Sequence, residues 1–240
     1  MHLNKKKYSI FVFEGKRPEI NIFNNMKKYF ITEDTNTMKE TVYCNNIYHL
    51  FKEIKKSKYL TLFGLLQEQK DANNIKDIEE YDVSRIYLFF DYDGHDLEAD
   101  DENIKSMIEL FDNETEQGKL YISYPMSEAI THLKDGVDFK NIIEKSEYNY
   151  KHLVSINCDE IFKHPINYTQ ENWNTIISQH NSKANFVVND TFEFPKNIIE
   201  QLDILVNQKE KYIDTENKVA VLSAFPLFLL DYYGIKKFIK

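Results

Sequence analysis

Two unbroken apolar runs, each ending in acid, constrain this chain more than any other feature. Tyr8 to Phe13 reads YSIFVF and leads into Glu14-Gly15; Arg85 to Phe90 reads RIYLFF and leads into Asp91-Tyr92-Asp93-Gly94. A half-exposed strand alternates apolar and polar residues. A strand with no polar interruption is buried on both faces, as in a parallel sheet covered by helices.

The segments between these runs fit that arrangement. Pro18 can open a helix, and Ile20, Phe23, Met26 and Phe30 follow at helical spacing. Glu40 to Cys44 is a short strand candidate. Ile47 to Lys56 is an amphipathic helix with Ile47, Leu50, Phe51 and Ile54 on one face, and Tyr59 to Gln69 continues as helix. After the second acidic turn, Asp100 or Asp101 caps a helix running to about Asn113, closed off by Gly118. Lys119 to Tyr124 reads as a strand and Ser127 to Leu133 as a short helix. The resulting alternation predicts an α/β fold with a mostly parallel sheet flanked by helices. Beyond it, helices are expected at Gln170 to His180, Lys196 to Gln208 and Val219 to Tyr232, with a strand signal only at Asn185 to Val188. Residues 1–135 thus read as an α/β unit, and 136–240 as a mainly helical region, separate from it or integral to it.

Composition narrows the function classes. Two cysteines far apart, Cys44 and Cys158, exclude a disulfide framework and a structural zinc site. The N-terminal apolar run is too short for a signal peptide, and no apolar stretch spans a bilayer, so a cytoplasmic protein is expected. A net charge of −9 argues against a broad, non-specific DNA footprint. It leaves room for a carboxylate cluster that is negative until a cation binds.

In an open α/β sheet, ligands bind beyond the carboxyl ends of the strands. If the two apolar strands are neighbours, Glu14, Asp91 and Asp93 share one crevice. Hard oxygen donors of this kind suit Mg²⁺ or Mn²⁺ rather than zinc. Gly15 and Gly94 would let the backbone turn sharply beside the cation. Tyr92, between the two aspartates, is expected to point away from it. Lys16 and Arg17 follow Glu14 closely enough to reach a phosphate. His95 could donate a proton, although loop histidines are usually just exposed; the acids from Asp96 to Glu102 read mainly as solvated or helix-capping charges.

Glu14-Gly15-Lys16 with Glu19 resembles the EGxxE-type opening of TOPRIM domains, and Asp91-Tyr92-Asp93-Gly94 resembles their DxD motif. The resemblance covers about residues 7–135. It implies a Rossmann-like sheet whose acids hold Mg²⁺ for phosphodiester chemistry. In the compact OLD-like and PARIS-type anti-phage effector subunits of this family, a further glutamate follows the next strand, and Glu128 stands where it would fall, within a loosely matching Ser127-Glu128-Ala129. The resemblance therefore implies a nuclease in antiviral defence that cuts RNA, with tRNA one candidate, or DNA. It implies Glu14, Asp91, Asp93 and Glu128 at the metal and Lys16 at the phosphate, with an ABC-type ATPase as partner protein. The chain contains no GxxxxGK[ST] motif of its own. The competing reading is a catalytically silent TOPRIM-like module that binds such an ATPase. A primase- or topoisomerase-like enzyme would need zinc or nucleophilic-tyrosine modules for which the chain has little room. The apolar C-terminal helices can form core or a homodimer surface.

Overall fold

The computed structural model describes residues 7–31, 37–56, 61–92, 94, 100–147 and 149–239. Strand β1 (Tyr8–Phe13) leads through helix α1 (Pro18–Phe30) to β2 (Met38–Val42), and then through α2 (Ile47–Lys56) and α3 (Leu62–Gln67) to β3 (Val83–Asp91). Helix α4 (Asp101–Leu110) and the two-residue β4 (Asp112–Asn113) precede β5 (Gly118–Ser123). The strands form one sheet in the order β2-β1-β3-β5-β4. All pairings are parallel except that of β4 with β5. The α/β class and the mostly parallel sheet follow as expected from the two apolar runs.

Burial explains why those runs are uninterrupted. Ile10 to Phe13 of β1 are completely inaccessible, and Leu88 to Phe90 of β3 nearly so. On one face, the rings of Phe11, Phe13 and Phe89 pack against Phe23 of α1 and against Phe225 and Phe228 near the C-terminus. On the other, Leu62 of α3 lies over Ile86, Leu88 and Gly118. Full burial of a Phe or Leu side chain contributes about 1.5–3 kcal/mol, so this double-sided core is the main source of cohesion.

The rest of the chain comprises β6 (Ile143–Glu144), α5 (Tyr150–Asn157), α6 (Glu160–Lys163), α7 (Gln170–Asn189), α8 (Gln201–Gln208), α9 (Asp214–Glu216), β7 (Val219–Ala220) and α10 (Ala224–Tyr233). Helix α10 supplies Phe225 and Phe228 to the sheet core, and Asp231 accepts a 2.7 Å hydrogen bond from Tyr121 of β5. Among the described residues, no helix is long and apolar enough to cross a membrane.

Several boundaries differ from the sequence reading. Asn185 to Val188 is the last part of α7, not a strand: Thr169 and Asn172 form a reciprocal capping box, and the 20-residue helix they start carries its β-branched end along. Val219 and Ala220 pair with β6, and the helix begins only at Ala224. Pro226 explains this start, since proline fits only a helix's first turn without losing a hydrogen bond. Gly118 opens β5 at φ +106° rather than closing a helix, and α4 stops at Leu110. Residues 127–131 form a 3₁₀ turn rather than an α-helix. Residues 196–200 are not helical, leaving α8 shorter than expected.

Candidate functional site

The chain leaves β1 toward β2 on one side and comes back on the other side as β3. The space beyond the carboxyl ends of β1 and β3 is therefore a topological switch point, where open α/β sheets bind ligands. Glu14 and Asp91 stand at those two ends. Phe13 is in register with Phe89, and the Glu14 amide donates to the Phe89 carbonyl at 3.2 Å. The carboxylate of Glu14 then turns to the neighbouring strand, where its Oε2 accepts the Asp91 amide at 3.1 Å. Both acids are half-buried.

Around this pair the next connections bring further charge. Glu19, in the first turn of α1, is 6% exposed, and its Oε2 is buried without a hydrogen-bond partner. Burial raises its pKa, with some help from the nearby negative charge of Glu128. Glu128, on the 3₁₀ turn after β5, accepts a 3.0 Å ion pair from Lys151 in the first turn of α5. Burial works to lower the Lys151 pKa, but the carboxylates of Glu128, Asp91 and Glu19 outweigh it and hold the ammonium above its usual range. Lys151 is positioned by its neighbour: Tyr150 is buried with its hydroxyl 3.1 Å from His132 Nδ1, which ties α5 to the 3₁₀ turn. Burial takes the His132 pKa down to about 4, so that imidazole is neutral at physiological pH.

The glycines have a different use from the one expected. Neither Gly15 nor Gly94 has a positive φ. A Cβ on Gly15 would come within 3.0 Å of Glu19 Oε2, and one on Gly94 would run into the Tyr92 ring. Both make room for a neighbouring side chain. Tyr92 turns inward: it stacks on Tyr124 with ring centres 5.4 Å apart and donates to Asp101 at 2.8 Å.

Of the residues proposed from sequence, the fold brings Glu14 and Asp91 side by side and places Glu128 on the next connection, bound to Lys151. Lys16 engages Asp71 at 2.8 Å, and the same carboxylate accepts the Cys44 thiol proton at 3.2 Å. Such an exposed pair contributes little to stability. Asp93 and His95 lie outside the described residues. Among the described residues, no three acidic, histidine or cysteine side chains converge closely enough to hold a metal ion. The contact between the two expected ligands runs from the Glu14 carboxylate to the Asp91 main-chain amide.

Sequence reasoning gave Lys151 no role, because a lysine in a polar stretch carries no motif. Glu19 was visible as the last residue of the EGxxE-like opening, but not its burial, which appears only in the folded chain. No family model, no curated protein and no solved structure matches this chain.

Proposed function

We propose that this chain is a divalent-metal-dependent nuclease of the TOPRIM type, hydrolysing phosphodiester bonds in RNA or DNA. The observation that carries the reading is the adjacency of Glu14 and Asp91 at the switch point of the sheet. The donor chemistry fits Mg²⁺ or Mn²⁺. The carboxylates are hard oxygen ligands, and Glu19 keeps a buried oxygen with no protein partner, an atom whose burial is costly unless something pairs with it. Glu14, Asp91 and, from its position in the DxD motif, Asp93 would hold the cation, with Glu19 and Glu128 facing the same charge. When bound, such a cation lowers the pKa of water and stabilises charge on the phosphoryl oxygens.

The reaction adds water oxygen to phosphorus and breaks the bond from phosphorus to a sugar oxygen, which takes up a proton. Lys151, held above its ordinary pKa, stays protonated. It suits the role of a fixed positive charge beside the phosphate better than that of a proton donor. Lys16 can join it once released from Asp71. In this reading an ABC-type ATPase is the partner that controls the enzyme, in antiviral defence.

One observation favours a second reading, a silent module of the same fold: Lys151 already neutralises Glu128. Incubating the chain with labelled single-stranded RNA and DNA, with Mg²⁺, Mn²⁺ or EDTA, separates the two. The nuclease reading expects metal-dependent cleavage that falls roughly 10²- to 10⁴-fold in Asp91→Asn. Cleavage that survives EDTA, or is equal in Asp91→Asn, overturns it; no cleavage by a protein that binds Mn²⁺ supports the module.

A further inference from the structure

Beside the carboxylate row lies a cavity of about 270 Å³ between the start of α1, the 3₁₀ turn at 127–131 and helix α5. Glu128 and Lys151 line it, so it opens directly onto the candidate site. Its walls are apolar, with Ile22, Ile130 and Val154 all buried, and Pro165 and Ile166 closing the far side. Its uncharged polar groups are the Asn21 amide and the hydroxyls of Ser127, Thr131 and Ser155, of which Ser127 donates to the Glu128 carboxylate at 3.4 Å. The other two hydroxyls also donate, Thr131 to the Glu128 carbonyl and Ser155 to that of His152, so each still has lone pairs to offer. At the mouth stand three basic side chains, Lys151, Lys163 and His164. Lys163 and His164 share the exposed Glu160, at 3.4 and 3.9 Å, a contact that water screens strongly.

Apolar walls, a few hydrogen-bonding groups and basic side chains whose carboxylate partners can be exchanged for a phosphate fit the chemistry of a nucleotide: the walls take the base, and the lysines take the phosphate. A lipid chain would leave the polar groups without partners. The volume lies just below the range of ordinary ligand pockets and suits a group as small as one base.

We infer that this cavity receives the base of the nucleotide next to the bond that is cut, so that the chain acts on unpaired nucleotides in a single-stranded or looped segment. This rests on the nuclease reading for its place in a reaction, but occupancy of the cavity does not. Duplexes are then poor substrates, because their bases would first have to be pulled from the stack.

Cys158 provides a readout that needs no turnover, since it is half-buried on the cavity wall. In Cys44→Ser, which keeps a donor toward Asp71, Cys158 is the single thiol. Its alkylation by N-ethylmaleimide is followed by mass spectrometry with each of the four ribonucleoside 5′-monophosphates at millimolar concentration. Ribose 5-phosphate and inorganic phosphate serve as controls. The proposal expects at least one monophosphate to slow alkylation several-fold, the controls to leave it unchanged, and Ser155→Trp, an exposed position filled toward the cavity, to abolish the protection. Equal rates with and without every monophosphate overturn it. Equal protection by ribose 5-phosphate also overturns it, because the base then makes no difference. If the protein cleaves nothing yet Cys158 is protected, the nuclease reading fails and the nucleotide site stands. If it cleaves and Cys158 is not protected, the reverse holds.

Discussion

The carboxylate of Glu14 caps the end of the neighbouring strand, its Oε2 accepting the main-chain amide of Asp91 at 3.1 Å. One side chain thus helps fix the spacing of two candidate ligands, and its structural and chemical contributions can be told apart. Glu14→Gln keeps an acceptor for that amide and loses the charge; Glu14→Ala loses both. In urea unfolding, Gln is expected to stay close to the parent, while Ala costs about 1–2 kcal/mol for the amide left without its partner. Both should lose metal-dependent cleavage. If Gln and Ala are equally destabilised, the cap contributes nothing.

Glu19 makes the site sensitive to pH in the metal-free protein. Its folded pKa is raised by burial, so the native state holds a proton that the unfolded chain releases. Stability must therefore fall as pH rises from the ordinary glutamate range through the raised folded value. Glu19→Gln removes this dependence and is expected to be more stable than the parent at neutral pH, with the difference vanishing under acidic conditions. Millimolar Mg²⁺ should stabilise the parent more than the variant, as weaker binding to the native state of the variant requires. A variant less stable than the parent at neutral pH would show that the Glu19 carboxylate has a partner after all.

A second buried charge lies far from the acids. Lys183 is inaccessible, donates to the Ile142 carbonyl and sits 4.4 Å from the centre of the Phe139 ring. Burial takes its pKa well below the ordinary lysine value, against the pull of Asp138 and Glu144. Here the unfolded chain binds the extra proton, so stability rises with pH from the depressed folded value up to the ordinary one. Lys183→Met should flatten that rise. An unchanged slope between neutral and alkaline pH would place the dependence elsewhere.

The only tryptophan reports on the joint between α1 and α7. Trp173 Nε1 donates to Asn25 Oδ1 at 2.7 Å, and the Asn25 amide donates to the carbonyls of Ile166 and Tyr168. Asn25→Leu leaves two buried groups, the Trp173 Nε1–H and the Tyr168 carbonyl, without this partner, and also frees the part-buried Ile166 carbonyl. It is expected to cost roughly 2–4 kcal/mol, somewhat more than a single orphaned group, and to shift the Trp173 emission. A loss below about 0.5 kcal/mol, the range of neutral surface changes, would contradict this.

How far the sequence reveals the molecule depends on where the free energy lies. Strands β1 and β3 are legible because both their faces are covered, which forbids polar residues between Ser9 and Glu14 or between Arg85 and Asp91. Helix α2 keeps its expected bounds because one face alone is buried and the period shows. The two-residue strands β6 and β7 are held by each other across the chain and β4 by a short hairpin with β5, and nothing in Asp112-Asn113 or Val219-Ala220 announces them. Strand β2 was expected two residues too late: Tyr43 and Cys44 still bond to Phe13 and Glu14, but Cys44 adopts φ 60° and the strand ends before them. At the site, Glu14 and Asp91 could be read as acids closing buried strands. The cavity could not, since its walls come from four segments that meet only after folding, and neither could Lys151, which matters because Tyr150 anchors the helix beside it.

The central claim is that Glu14 and Asp91 share one divalent cation, and titrating Mn²⁺ while following its six-line electron paramagnetic resonance signal tests this most directly. The account predicts loss of the free-ion signal with the parent protein, and affinity weakened by at least about ten-fold in Glu14→Gln and in Asp91→Asn, since even residues that only support a metal ligand cost that much. Equal Mn²⁺ affinity in the parent and both variants, or none in the parent, would contradict it.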